Sequence, residues 1–179
     1  MAWRDLQRFS SPGPANSLWY WDMHLNPLRV AWNYALMALA RVSPSLRLKL
    51  ILYRLMGVMI GRHVSVGLEV TLDVFYPHLI AIGDNSIIGY NTTILCHEYL
   101  VEEYRTGRVQ IGANVTIGAN CTILPGIAIA DRSVVSAMSL VNADVDGFVG
   151  GVPARPLGRA PDGGVANAAE TPAKGGRFK

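Results

Sequence analysis

The feature that most constrains this chain is a six-residue beat. Apolar residues recur at Ile60, Val66 and Leu72, then at Ile82, Ile88 and Ile94, then at Ile111, Ile117, Ile123, Ile129, Val135 and Val141, which makes twelve hexads in three registers. The fifth position of a hexad is mostly small or β-branched, as at Val64, Val70, Ser86, Thr92, Val115, Cys121, Ser133, Ser139 and Val145. First and fifth positions therefore point inward, and the β-branched side chains favour extended backbone. Glycine follows the apolar residue at Gly61, Gly67, Gly83, Gly89, Gly112 and Gly118, where a tight corner needs either positive φ or a close backbone approach. Short strands turned by a corner every six residues make a solenoid of parallel β-coils, so the fold is mainly β.

The beat breaks twice. Leu72 to Ile82 spans ten residues, four more than a hexad, and Ile94 to Ile111 spans seventeen. The first break is a small corner insertion within Tyr76 to Ala81, and the second sends the charged stretch Glu98 to Gln110 out of the coil as a loop. If each register opens a new coil, the hexads that begin at Leu72, Ile94 and Ile123 stack on one face. Asp73, second in its hexad, and His97, fourth, then share the outward parity. Coil spacing and a two-residue offset put their Cα atoms about 8 Å apart. A loop that leaves a rigid scaffold beside an outward histidine forms the wall of a cleft.

Residues 1–59 carry no repeat. Asn26-Pro27 and Ser43-Pro44 each read as an N-cap followed by proline in the first turn, which predicts helices over about Pro27 to Val42 and Pro44 to Met59. The eleven uncharged residues between Arg29 and Arg41 are too few to span a bilayer. Leu, Met, Trp and Tyr across residues 28–60 lie among Arg29, Arg41, Arg47, Lys49 and Arg54. Two readings fit: an end-cap or subunit contact for the solenoid, or a basic helix pair in peripheral contact with the membrane. The expected organisation is an N-terminal aromatic segment and helix pair over 1–59, the solenoid over 60–158 with its loop at 98–110, and a flexible tail over 159–179. Two cysteines imply no disulfide framework, and Met1 to Asn26 lacks a secretory signal, so the expected location is the cytoplasm, including the inner face of the membrane. A net charge of +3 is too mild to indicate a nucleic-acid partner.

The units IGDNSIIGYNTTI and IGANVTIGANCTILPGIAI resemble the hexapeptide-repeat acyltransferases, in particular the maltose/galactoside O-acetyltransferase-like branch, over about Met59 to Leu157. The resemblance implies a triangular left-handed parallel β-helix with three hexads per coil. It also implies a homotrimer with active sites between subunits, acetyl-CoA as cosubstrate, and a sugar or other hydroxyl as acceptor. Family members place a histidine just ahead of the excursion, which implies His97 as general base. A hydroxyl attacks a thioester slowly unless an imidazole takes its proton in the transition state. Asp73 and Glu98 are the expected acceptor-binding residues, with Glu98 or Glu102 also a candidate to orient His97. For the donor, the resemblance assigns Ala119, Ala137 and Arg155, with Arg159 beyond them. One departure stands out: Ser136-Ala137-Met138-Ser139 where the family usually reads Gly-Ala-Gly-Ser, so that Met138 either crowds the groove or packs on the adenine.

The same solenoid also serves γ-class carbonic anhydrases and regulatory domains. A non-catalytic scaffold or binding module and a metal-dependent hydratase are therefore the alternatives. The latter needs three imidazoles around one zinc, two of them close in sequence, whereas His63, His78 and His97 lie fifteen and nineteen residues apart, so no metal is expected. His24 and His63 read as structural, and His78 as an edge of the cleft.

Overall fold

The computed structural model describes residues 4–158; the tail expected over 159–179, and Arg159 with it, lies outside the described residues. The repeat folds as a three-faced prism. One face stacks the strands Met59–Ile60, Ile80–Ile82, Val109–Ile111 and Ala128–Ile129, all parallel. The second stacks Ser65–Val66, Ile87–Ile88, Thr116–Ile117, Val134–Val135 and Phe148–Gly150, closed by the antiparallel Arg155–Pro156. The third stacks Thr71–Leu72, Thr93–Ile94, Thr122–Ile123 and Leu140–Val141. The hexads of Leu72, Ile94 and Ile123 thus share one face, as their spacing requires.

Like residues stack on like residues down the prism. Val66, Ile88, Ile117 and Val135 form one fully buried column, and Leu72, Ile94, Ile123 and Val141 form another. Each such side chain contributes about 1.5–3 kcal/mol of burial. The hydroxyls at fifth positions are buried and satisfied, with Ser86 Oγ donating to Gly112 O at 2.8 Å and Thr92 Oγ1 to Gly118 O at 2.9 Å.

The corners settle what the glycines do. Positive φ falls two residues after each glycine, at His63, Asn85 and Asn114 on one corner and at Glu69, Asn91 and Asn120 on the next. Asparagine tolerates this conformation better than other side chains, and its amide links coils: Asn85 donates to Asn114 and Asn91 to Asn120, both at 2.9 Å. The glycines serve close approach instead, since a Cβ on Gly118 would run into the Ala137 backbone of the next coil.

Both insertions fall at the third corner. Ile60 pairs with Ile82, Ile82 with Ile111 and Ile111 with Ile129, so successive coils take 22, 29 and 18 residues. The insertion of four residues is taken up around a 3-10 turn at Pro77–Leu79. The second insertion is ordered rather than irregular: His97–Tyr99 and Glu103–Thr106 pair as an antiparallel hairpin, and Gln7–Ser10 from the N-terminus adds a third strand. Backbone hydrogen bonds from Ser11 N to Glu102 O and from Ser17 N to Leu100 O fasten this strap to the hairpin.

The N-terminal helices are α1, Pro27–Val42, and α2, Leu46–Met56. Asn26 caps α1 as its sequence predicts, but the cap of α2 is Ser45, whose Oγ accepts from Leu48 N at 3.3 Å, rather than Ser43, which is the C-cap of α1. Gly57 ends α2 at φ 107. The pair closes the open end of the first coil. Tyr53 Oη donates to Val70 O at 2.8 Å, Lys49 Nζ to Gly67 O at 2.6 Å, and Asn33 Nδ2 to Val74 O at 2.8 Å.

Candidate active site

His97 and Asp73 meet at the third corner, one coil apart. Asp73 ends the strand Thr71–Leu72 and opens the first insertion, and His97 opens the second. His97 Nδ1 donates to Asp73 Oδ2 at 2.5 Å, and the carboxylate is fully buried while the imidazole stays 17% exposed. The same carboxylate accepts from the backbone N–H of Cys96 at 2.6 Å, and from those of Phe75 and Tyr76 at 2.9 Å each. Three amide donors and the imidazole thus saturate it, so Asp73 lies beneath His97 rather than facing an acceptor. Its hydrogen bond fixes the proton on Nδ1 and leaves the Nε2 lone pair pointing outward. Among the described residues Nε2 has no hydrogen-bond partner.

Aromatic rings surround the imidazole. Phe75 meets it edge-on with centroids 4.9 Å apart, Tyr99 lies at 5.2 Å and Tyr76 at 6.0 Å. Phe75 in turn meets Trp21 at 5.6 Å, and Tyr99 meets Tyr104 at 5.6 Å. Phe9 and His24 both stack on Tyr104, at 4.8 and 4.4 Å. His24 Nε2 and the Tyr99 hydroxyl share a hydrogen bond of 3.0 Å. Burial lowers the pKa of His24 and raises those of Tyr76, to about 12, and of Tyr99. Burial thus favours the neutral form of each, and the carboxylate in direct contact with the imidazole is that of Asp73. Beside Phe75, a cavity of about 640 Å³ opens between Asn16, Leu18, Trp19, Trp21 and Asp22.

The other expected site residues have other neighbours. Glu98 pairs with Arg4 at 2.5 Å, away from the imidazole, and Glu102 sits exposed at the hairpin turn, so neither orients His97; Asp73 does. Ala119 and Ala137 stack at the second corner, joined by Met138 N donating to Ala119 O at 2.9 Å, and the exposed Arg155 lies on the closing strand next to Gly150. The third face of the prism separates them from His97 within one chain. Met138 takes the left-handed corner conformation with φ 62, its side chain exposed. His63 likewise holds a corner position and His78 is exposed on the 3-10 turn. Among the described residues no three His, Cys, Asp or Glu side chains converge on a point where an ion could sit.

The aromatic wall is what sequence reasoning missed. Its members come from four distant segments, and the only signal was the density of rings in Trp19-Tyr20-Trp21 and at Tyr99 and Tyr104.

Comparison with known proteins bears on the fold and the family. The family model for the bacterial transferase hexapeptide (six repeats) matches residues 108–143. YvoF of Bacillus subtilis, whose name describes a candidate acetyltransferase, is 50% identical over 144 residues, covering 79% of this chain and 84% of its own. A galactoside acetyltransferase solved in complex with coenzyme A superposes with a TM-score of 0.57 at 26% identity, covering 72% of this chain and 79% of its own. The hexapeptide-repeat acetyltransferase VCA0836 of Vibrio cholerae, solved with acetyl coenzyme A, shares the fold at a TM-score of 0.57 and 24% identity, over 72% of this chain and 85% of its own. With this repeat, this left-handed β-helix and a relative of that identity over most of its length, the chain belongs to the hexapeptide-repeat acetyltransferase family.

Proposed function

We propose that the protein transfers an acetyl group from acetyl-CoA to a hydroxyl, of a sugar or a similar acceptor, with His97 as general base. The observation that carries this reading is the His97–Asp73 pair, with Nδ1 tied to a buried carboxylate and Nε2 open among aromatic rings. Nε2 accepts the hydroxyl proton as the oxygen attacks, holds it, and returns it to the departing sulfur. Asp73 keeps the tautomer and offsets the positive charge that the ring acquires, the role of an orienting carboxylate. Aromatic faces suit the C–H faces of a sugar ring, and Asp22, exposed on the neighbouring cavity, offers a carboxylate to its hydroxyls. Glu98, tied to Arg4, contributes by stiffening the hairpin instead of meeting the acceptor.

The second corner suits an extended donor. Ala119 and Ala137 expose only a methyl group beside their backbone, and the guanidinium of Arg155, bonded to Ala154 O at 2.8 Å, remains exposed for phosphates. When bound there, acetyl-CoA supplies the thioester. Because those residues and His97 occupy different corners, a complete site joins the His97 corner of one chain to the donor corner of another, which is the reading as a homotrimer. Light scattering at micromolar concentration is expected to give three times the chain mass, and a stable monomer would remove the shared site. The test of the reaction is thiol release from acetyl-CoA with a panel of sugars and simple alcohols. Acceptor-dependent release is expected; its absence across the panel, with the protein folded, would favour a binding module.

A further inference from the structure

We infer that the outward face of the helix pair docks the protein on an anionic lipid surface. This goes beyond the transfer reaction and stands independently of it. The end-cap and the membrane readings of these helices are compatible, because each helix has two apolar faces. The inner face of α1 is Leu36, Met37 and Ala40, and that of α2 is Tyr53 and Met56, all buried against the first coil. The opposite face is the unusual one.

On α1 the outer stripe is Leu28, Trp32, Ala35, Leu39 and Val42, all exposed, with Leu28 at 81% and Val42 at 66%. At 3.6 residues per turn these positions fall within about 40° of one line along the helix. On α2 the stripe is Leu48, Ile51 and Leu55, about half exposed. No partner element covers either stripe among the described residues. A contiguous apolar surface of this kind marks an interaction site, and no helix here is long and apolar enough to cross a membrane.

Charge selects the occupant. Residues 27–60 contain five basic side chains and no acidic one. Lys49 is spent internally on Gly67 O, and Arg41 on Glu69. Arg29, Arg47 and Arg54 remain at the surface, with Arg54 bonded to the carbonyls of Ile60 and Gly61, which leaves its charge uncancelled. Arg47 and Arg54 are seven residues apart and so border the α2 stripe on one side, the place from which a cation reaches headgroups while leucine and isoleucine enter the acyl boundary. A second copy of the same face would set arginine against arginine with no carboxylate in the segment to neutralise it. An anionic bilayer supplies both the apolar medium and the opposite charge.

The experiment is sedimentation of the full chain with vesicles of phosphatidylcholine alone, or of equal parts phosphatidylcholine and phosphatidylglycerol, at low and high salt. The protein should pellet with the mixed vesicles and not with the neutral ones, and salt should weaken the binding. Arg47→Gln should lower the partition coefficient about fivefold, the weight of one cation at an anionic surface. The double variant Trp32→Ser/Ile51→Ser, at two exposed positions, should abolish binding with melting temperature and particle mass unchanged. Failure of the intact protein to pellet with anionic vesicles, or pelleting that the double variant or salt leaves unaltered, overturns the inference. So does a larger assembly that the double variant dissociates, since the face would then be a contact between copies.

Discussion

Asp73→Asn separates the two roles that a carboxylate at this corner can have. The native side chain accepts four hydrogen bonds, from the N–H groups of Phe75, Tyr76 and Cys96 and from His97 Nδ1. An amide has one oxygen to offer. If that oxygen keeps Phe75 and Tyr76, the NH₂ faces the buried Cys96 N–H, and one donor is left unsatisfied. The reversed amide would face two N–H groups with its own donors, so the first orientation is preferred. One orphaned buried donor costs about 1–3 kcal/mol, and a chain of this size loses about 2–4 °C in Tm per kcal/mol. In that orientation the NH₂ also donates to Nδ1 and drives the ring proton onto Nε2, where a base must be empty. The expected result is a fold that survives with Tm lowered by several degrees, kcat lower by about two to four orders of magnitude, and acceptor KM nearly unchanged. Steady-state kinetics with acetyl-CoA and a reactive hydroxyl acceptor reads this out. A variant whose acceptor KM rises while kcat is retained would show that Asp73 holds the acceptor, and would refute the orienting role.

Other expectations are simpler to state. His97→Ala should lower kcat by about two to four orders of magnitude while the fold survives, since three amide N–H groups still satisfy Asp73; retained turnover would sink the base assignment. Alkaline unfolding should involve the tyrosines. Burial raises the phenol pKa values of Tyr53, Tyr76, Tyr99 and Tyr104 above the usual 10.0, that of Tyr76 to about 12. The folded chain therefore keeps protons that the unfolded chain gives up, so this contribution is full below pH 10 and is lost as pH rises through about 12 and beyond. Melting temperatures should fall across that range as tyrosinate absorbance rises, and a flat Tm above pH 10 would contradict it.

How much of this was legible in the sequence depended on range. The six-residue period placed the coils, the shared face of Leu72, Ile94 and Ile123 and the two corners that take insertions, because each is a local count of residues. The bounds of the second insertion were off, since the hairpin already opens at His97 and Val109 and Gln110 are back in a coil strand. Parity failed at Asp73 because alternation holds only within a strand. The strand ends at Leu72, and Asp73 turns inward to accept from Phe75 and Tyr76, a local turn geometry that carboxylates favour. The hairpin strand Gln7–Ser10 pairs with residues nearly a hundred positions away, and no period announces such a partner. The same holds for the aromatic wall, whose rings are brought together only when that strap closes over the hairpin. Lys49 was equally opaque: among leucines it reads as a surface cation, yet it is buried with its ammonium on Gly67 O.

The proposed site lies where the repeat breaks for a physical reason. At the first and second corners the first three coils present a glycine for close approach and then a residue with positive φ, and the Asn85–Asn114 and Asn91–Asn120 pairs bind one coil to the next. A residue there is repeated because its neighbours above and below require it. A general base is needed once, with one orienting partner and one set of walls, and those demands conflict with a column of identical positions. The third corner escapes the conflict because two successive coils carry extra residues at it, which frees Asp73 and His97 from the ladder and stacks one above the other. The hairpin does more than interrupt. It pairs with Gln7–Ser10, and the N-terminal segment sets Phe9 and His24 on Tyr104 and Trp21 on Phe75, behind the rings that touch the imidazole, before the chain enters the helix pair capping the solenoid at Pro27.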